Sequence, residues 1–111
     1  MIEKILLDYL RSKLSVPVKM EEEADLPEKY VLLEKTGSSM TNYIRHATVA
    51  IQSYAGSIYE AAELNEEVKA AMDEIIVLDE ITRSELNSDY NYTDTATKRY
   101  RYQAVYDLTH Y

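Results

Sequence analysis

The sequence predicts an α+β domain in which two helices pack on one face of a mainly antiparallel four- to five-stranded sheet, in the order α-β-β-β-α-β-β. Two observations predict it. Apolar residues recur at steps of three and four in segments 2–14 and 58–73, the spacing of one helical stripe. They alternate with polar residues in segments 47–54 and 100–108, the period of a half-buried strand. Two helices can cover one face of a mainly antiparallel sheet of four or five strands, which makes a two-layer domain. The 111 residues fit one domain, 1–111, with a single modest core.

The first helix, 2–14, places Ile2, Ile5, Leu6, Tyr9, Leu10 and the Lys13–Leu14 pair on an apolar face. Ser15 ends it and Pro17 forbids its continuation. Residues 16–20 read as a short extended piece, with Pro17 marking a strand start or a sheet edge. Glu21, Glu22, Glu23 and Asp25 form an acidic loop that reads as a solvated turn. A strand follows over 29–36. Segment 37–42 reads as a polar hairpin loop, with Gly37 expected at positive φ.

Segment 43–72 is the spine of the prediction. Ala47, Val49 and Ile51 share one strand face over about 43–54. Ser57 and Glu60 then make an S-x-x-E capping box at a helix start. Ile58, Ala61, Leu64 or Asn65, Val68, Met72 and Ile75 continue as one stripe. A loop after Glu74 leads to a strand starting near Ile81, with Leu86, Ser88, Tyr90 and Tyr92 on one face. Segment 93–97 is a turn of small polar residues. The last strand, within 98–111, has Tyr100, Tyr102, Ala104, Tyr106 and Leu108 alternating with mostly polar residues. The tyrosine-rich face and the sheet edges are then expected to remain for partners.

Composition narrows function. The net charge of −8 disfavours wrapping by nucleic acid, whose binding draws on counterion release by basic side chains. With no cysteine, disulfides, thiolate metal sites and cysteine nucleophiles are excluded. No signal-peptide pattern opens the chain and no apolar run approaches a membrane span, so a protein made in the cytoplasm, with no membrane partner, is expected. Eleven tyrosines stand beside no Phe and no Trp; Tyr suits half-buried strand sites and protein interfaces equally.

The catalytic inventory is empty, so the expectation is no enzyme, no cofactor and no metal. His46 and His110 have no partner at ligand spacing and read as surface or interface residues. The carboxylates of 60–73 lie on a solvated helix face, and the serines lack a nucleophile-elbow context. Lys98-Arg99-Tyr100-Arg101-Tyr102 has the composition of a nucleic-acid grip, but an alternating strand produces the same pattern. Pairing of Arg99 and Arg101 with acidic residues of a neighbouring copy is the favoured expectation.

The chain resembles the tail terminator (tail-completion, head–tail joining) proteins of long-tailed bacteriophages and prophages. The resemblance spans nearly the full length. It lies in the opening helix, Val16-Pro17-Val18, and the strand Tyr30–Gly37 after a proline. It continues through Ala47–Ala55 into Tyr59-Glu60-Ala61-Ala62-Glu63-Leu64 and Val68–Met72, and ends in Arg99–Leu108. The resemblance implies a structural assembly protein that forms a ring, usually a hexamer, on the last ring of tail-tube protein and meets the head connector. DNA would pass through the lumen without specific binding. The protein would be made in the host cytoplasm and end in the virion. Loops 21–27 and 37–43 and the outer strands become candidate contacts, with Tyr43, Arg45, His46, Tyr90, Tyr92, Arg99 and Arg101 as candidate interface residues. A head-completion or connector protein, or a small acidic bacterial protein-binding module, are the alternatives.

Overall fold

A computed structural model describes residues 1–111. The order is α1 (Ile2–Lys13), β1 (Val18–Lys19), β2 (Tyr30–Thr41), β3 (Ile44–Ala55), α2 (Ile58–Asp73), a 3-10 turn (Ile75–Val77), β4 (Ile81–Asn91) and β5 (Tyr100–His110). This is the predicted α+β arrangement, with a five-stranded sheet ordered β1-β2-β3-β5-β4. All neighbours are antiparallel except β1 and β2. The long axis of 44 Å is about that of a twelve-residue strand at ~3.3 Å per residue.

Both helices cover the same sheet face. Leu6, Leu10, Leu64, Val68 and Met72 meet Val31, Leu33, Val49, Ile51, Ala104, Tyr106 and Leu108 in one core of 19 buried residues. The period-two positions of β3 and β5 interlock because Val49 lies opposite Tyr106 and Ile51 opposite Ala104. The Tyr9 hydroxyl ties the helices together, donating 2.6 Å to the Ala71 carbonyl oxygen in a buried site. Burial raises the Tyr9 pKa by disfavouring its charged form. Helix α2 begins as predicted: the Ser57 side chain accepts from the Glu60 amide at 3.1 Å. Its predicted stripe is buried from Ala61 through Ile75, with Asn65 and Ala71 widening it, while Ile58 at its start is exposed.

Three expectations are corrected. Residues 37–41 are strand, not loop: β2 runs to Thr41 and pairs down to Thr41–Ile44. The hairpin closes in two residues, Asn42 (φ 50°) and Tyr43 (φ 67°), and Gly37 is not at positive φ. Two left-handed central residues match the right-handed twist of the flanking strands, as a mirror-image turn requires. Gly37 instead follows a bulge, where the register slips between Lys35 and Gly37. Second, Tyr100, Tyr102 and Tyr106 do not form an outer face. They share the helix-covered side of β5 with Ala104 and Leu108, and Tyr106 lies deep in the core. Third, His110 is buried, not superficial; its Nδ1 lies 2.9 Å from the Tyr111 carbonyl oxygen.

Candidate interaction surfaces

The sequence-predicted interface residues separate into two groups at opposite ends of the sheet. Arg101 and His110 stand nine positions apart on β5, roughly 30 Å at ~3.3 Å per residue. Tyr43, Arg45 and His46 lie at the His110 end; Tyr90, Tyr92, Arg99 and Arg101 lie at the other.

At the first end, Tyr43 occupies the hairpin tip and is 95% exposed. Met40 and Ile44 beside it are also exposed, so the tip is an apolar knob. A left-handed backbone costs an L-residue about 1–2 kcal/mol, and a bulky aromatic has no local hydrogen bond to offset it. Tyr43→Gly is therefore expected to stabilise the isolated chain by about 0.5–1 kcal/mol, read as a raised urea midpoint. A lowered midpoint would mean the ring makes contacts that outweigh the strain. Arg45 forms the side of this arm, and His46 faces Thr109 with Nδ1 3.4 Å from the hydroxyl. A cleft of about 300 Å³ runs between the arm and the start of α1, lined in part by Lys35, Ser38, Arg45 and His110.

At the second end, the helix-free sheet face carries a continuous ladder. Tyr30 and Tyr54 stack with centroids 4.6 Å apart and planes 8° apart. The Arg101 guanidinium lies over the rings of Tyr54 (5.6 Å) and Tyr92 (4.6 Å). Its Nε donates 2.7 Å to the Tyr92 carbonyl and its Nη1 donates 2.7 Å to the Tyr54 hydroxyl. Arg99 lies 5.1 Å from the Tyr54 centroid and grips Glu22 in a two-pronged ion pair. A second row follows: Gln52 donates 2.8 Å to Gln103, which donates to the Tyr90 hydroxyl. Tyr90 meets Tyr92 edge to face at 5.8 Å. Each cation–π contact contributes about 0.5–2 kcal/mol, more as solvent is excluded.

Exclusion of solvent comes from the segment between β1 and β2. Since these strands are parallel neighbours, the chain must cross the sheet to return. It crosses the helix-free face, where Leu26 packs on Tyr30, Leu32 and Tyr54. Tyr54 is left 4% exposed and Tyr30 7%. The acidic loop is therefore more than a solvated turn: Glu22 straps it to the ladder. The Arg99 hydrogen bond holds the Glu22 carboxyl below its ordinary range, and Glu22 in turn raises the Arg99 pKa. Burial pushes the Tyr30 hydroxyl up, partly offset by Arg99.

The strap has a pH signature. The folded carboxyl of Glu22 has the lower pKa, so its stabilisation is complete above the unfolded value, about 4.3, and fades as pH falls through the folded one. Both partners are more than a third exposed, so the contribution is below about 1 kcal/mol. Glu22→Gln should flatten the fall in stability below pH ~4.5 in denaturant titrations at stepped pH. An unchanged slope would remove Glu22 from the account.

Alternation sorts the Lys98–Tyr102 cluster onto two faces, so its arginines and tyrosines do not form one grip. Both arginines already have partners within the chain. What remains open is the β4 side of the ladder, where Tyr90 and Tyr92 are about 40% exposed. Sequence reasoning missed Glu22, Tyr30 and Tyr54 as members. The signal for Tyr30 and Tyr54 was position on the strand face opposite Val31 and Ile51; for Glu22, in the loop between β1 and β2, it was only a charge opposite to that of Arg99 and Arg101. No group of three or more His, Asp or Glu comes together in a metal-holding arrangement, and no helix is long and apolar enough to cross a membrane. The chain matches no family model, and no curated protein is significantly similar to it.

Proposed function

We propose that this chain is a structural, non-catalytic phage assembly protein: a tail terminator that forms a ring, caps the tail tube of a long-tailed bacteriophage and meets the head connector. The resemblance running from Ile2 to Leu108 suggests the reading. The observation that carries it is the hairpin tip, where a fully exposed aromatic sits in a strained backbone conformation with Met40 and Ile44 alongside. Strain kept at a surface position that the fold itself does not need favours a role in contact with another protein. The tip is assigned to the tail-tube or connector contact. The acidic face of α2, with Glu60, Glu63 and Glu67 exposed, suits a passage through which DNA moves without being held. The chain is then made in the host cytoplasm and carried in the virion.

The test is capping. Polymerising tail-tube protein is mixed with the purified chain, and tube lengths are measured by negative-stain microscopy. Arrest of growth with density at one tube end is expected, and Tyr43→Gly should lose it while remaining at least as stable. Tubes that grow unchanged, with no chain bound at their ends, would overturn the proposal.

A further inference from the structure

Both edges of the sheet are open. β1 pairs only with Val31 and Leu32, which leaves β2 unpaired on that side from Leu33 to Thr41. β4 pairs only with β5 over its whole length. None of the 12 backbone hydrogen bonds outside the regular elements reaches residues 33–41 or 82–91. An exposed row of amide and carbonyl groups is a template for another strand. The stretch Thr36–Thr41 carries no charge and no proline, the usual devices that protect an edge.

We propose that copies of this chain join edge to edge, the free stretch of β2 in one copy pairing antiparallel with β4 of the next. Strand polarity allows it. From β2 through β3 and β5 to β4 each neighbour is antiparallel, so β2 and β4 run in opposite directions. A second copy placed beside the first, turned only about an axis parallel to the strands, presents its β2 antiparallel to this β4. The contact is heterologous, so it repeats from copy to copy and closes into a ring when the turn per copy allows. Pairing of β2 with another β2 would instead stop at two copies and leave β4 open.

Register supports the same pairing. β2 has one extra residue, Thr36, between Lys35 and Gly37; β4 has two, Asn87 between Leu86 and Ser88 and Thr82 between Ile81 and Arg83. Lys35 and Leu86 lie on the same rung, through Val49 and Tyr106. The Thr36 and Asn87 surpluses therefore lie at the same height, and the two edges stay in step from the Leu33–Asp89 rung to the Ser39–Arg83 rung, short of the second bulge at Thr82. At equal height Glu34 meets Ser88, Gly37 meets Glu85 and Ser39 meets Arg83, so no like charges oppose. Glu85 and Asp89 make this edge selective, since a strand with carboxylates opposite those two positions would be repelled.

The pairing itself does not depend on the tail terminator reading; only its closure into a tail-capping ring does. The chain has no cysteine, so introduced thiols report without background. Ser39→Cys and Arg83→Cys lie on one rung, and Gly37→Cys with Glu85→Cys form a second pair two positions along. The expected result on non-reducing gels is a covalent dimer when the Ser39→Cys and Arg83→Cys chains are mixed and oxidised. The double variant should give a ladder of higher species, and each single variant alone no product. The second pair should behave alike. Cross-links within a single variant, an oligomer by light scattering with no link from either pair, or a monomer with no link would each overturn the edge pairing. Links from both pairs without tail-tube capping would support the pairing and overturn the terminator reading instead.

Discussion

Tyr54→Ala is expected to lower the unfolding free energy by about 3 kcal/mol, the usual cost of removing a buried aromatic. Tyr54 touches Tyr30, Arg99, Arg101 and Gln52 and so joins the two rows of the ladder. Its ring stacks on Tyr30 and lies under Arg99 and Arg101, and its hydroxyl accepts from Arg101 and donates to Gln52. Truncation leaves a cavity under Leu26 and removes the ring that both guanidiniums lie over. Tyr54→Phe keeps the stack and removes only the hydroxyl, so it should cost about 1 kcal/mol. Urea denaturation of the two variants separates the terms. Equal losses would mean that the hydrogen bonds, not the stack, hold this end of the sheet. Unchanged midpoints in both would mean that the ladder contributes nothing.

Alkaline unfolding should centre on Tyr106. Burial against α2 pushes its hydroxyl up to about 12, with the Asp73 carboxylate adding to the effect. The folded pKa exceeds the unfolded value of about 10, so the stabilisation is complete below pH ~10 and is lost as pH rises towards 12. Two units correspond to about 2–3 kcal/mol. Tyr106→Phe should remove most of the fall in stability between pH 10 and 12, measured by urea denaturation at stepped pH. Tyr9 and Tyr30, also raised by burial, add smaller falls in the same range. A variant that loses stability as steeply as the parent would assign alkaline unfolding to other groups.

The elements whose periodicity is complete in the sequence are where prediction and structure agree. α2 spans 58–73 in both, because Ser57 caps its start and Ala61, Leu64, Val68 and Met72 repeat on one face. Ala47, Val49 and Ile51 point to the core as the alternation requires. β4 begins at Ile81 as expected. Where a local signal carried little, the reading slipped. Gly37 and the following serines resemble a loop by composition, yet pairing with β3 extends them into strand, and the turn falls on Asn42 and Tyr43. The alternation of β5 separated two faces correctly, but period two does not say which face the helices cover. For that reason Tyr100, Tyr102 and Tyr106 were readable as facing either a core or a partner, and they lie on the covered side.

The candidate surfaces were legible to a similar degree. Tyr43, Arg45 and His46 were recognisable as an exposed group because they flank a connection. The ladder was half visible: Tyr92, Arg99 and Arg101 stood out, while Glu22, Tyr30 and Tyr54 did not. Arg101 meets Tyr54 across 47 residues and Arg99 meets Glu22 across 77. Local spacing carries no information about contacts at such separation.

The sequence by itself determined the helices, most strand boundaries, the apolar faces and hence the α+β class, because each follows from propensities and periods within a few residues. The tertiary structure decided the insertion of β5 between β3 and β4, the passage of the acidic loop across the helix-free face and the two open edges. It also decided the left-handed turn that holds Tyr43 outward. These depend on which strand finds which neighbour, and that choice is made by the burial of a whole shared face at once rather than by any segment alone.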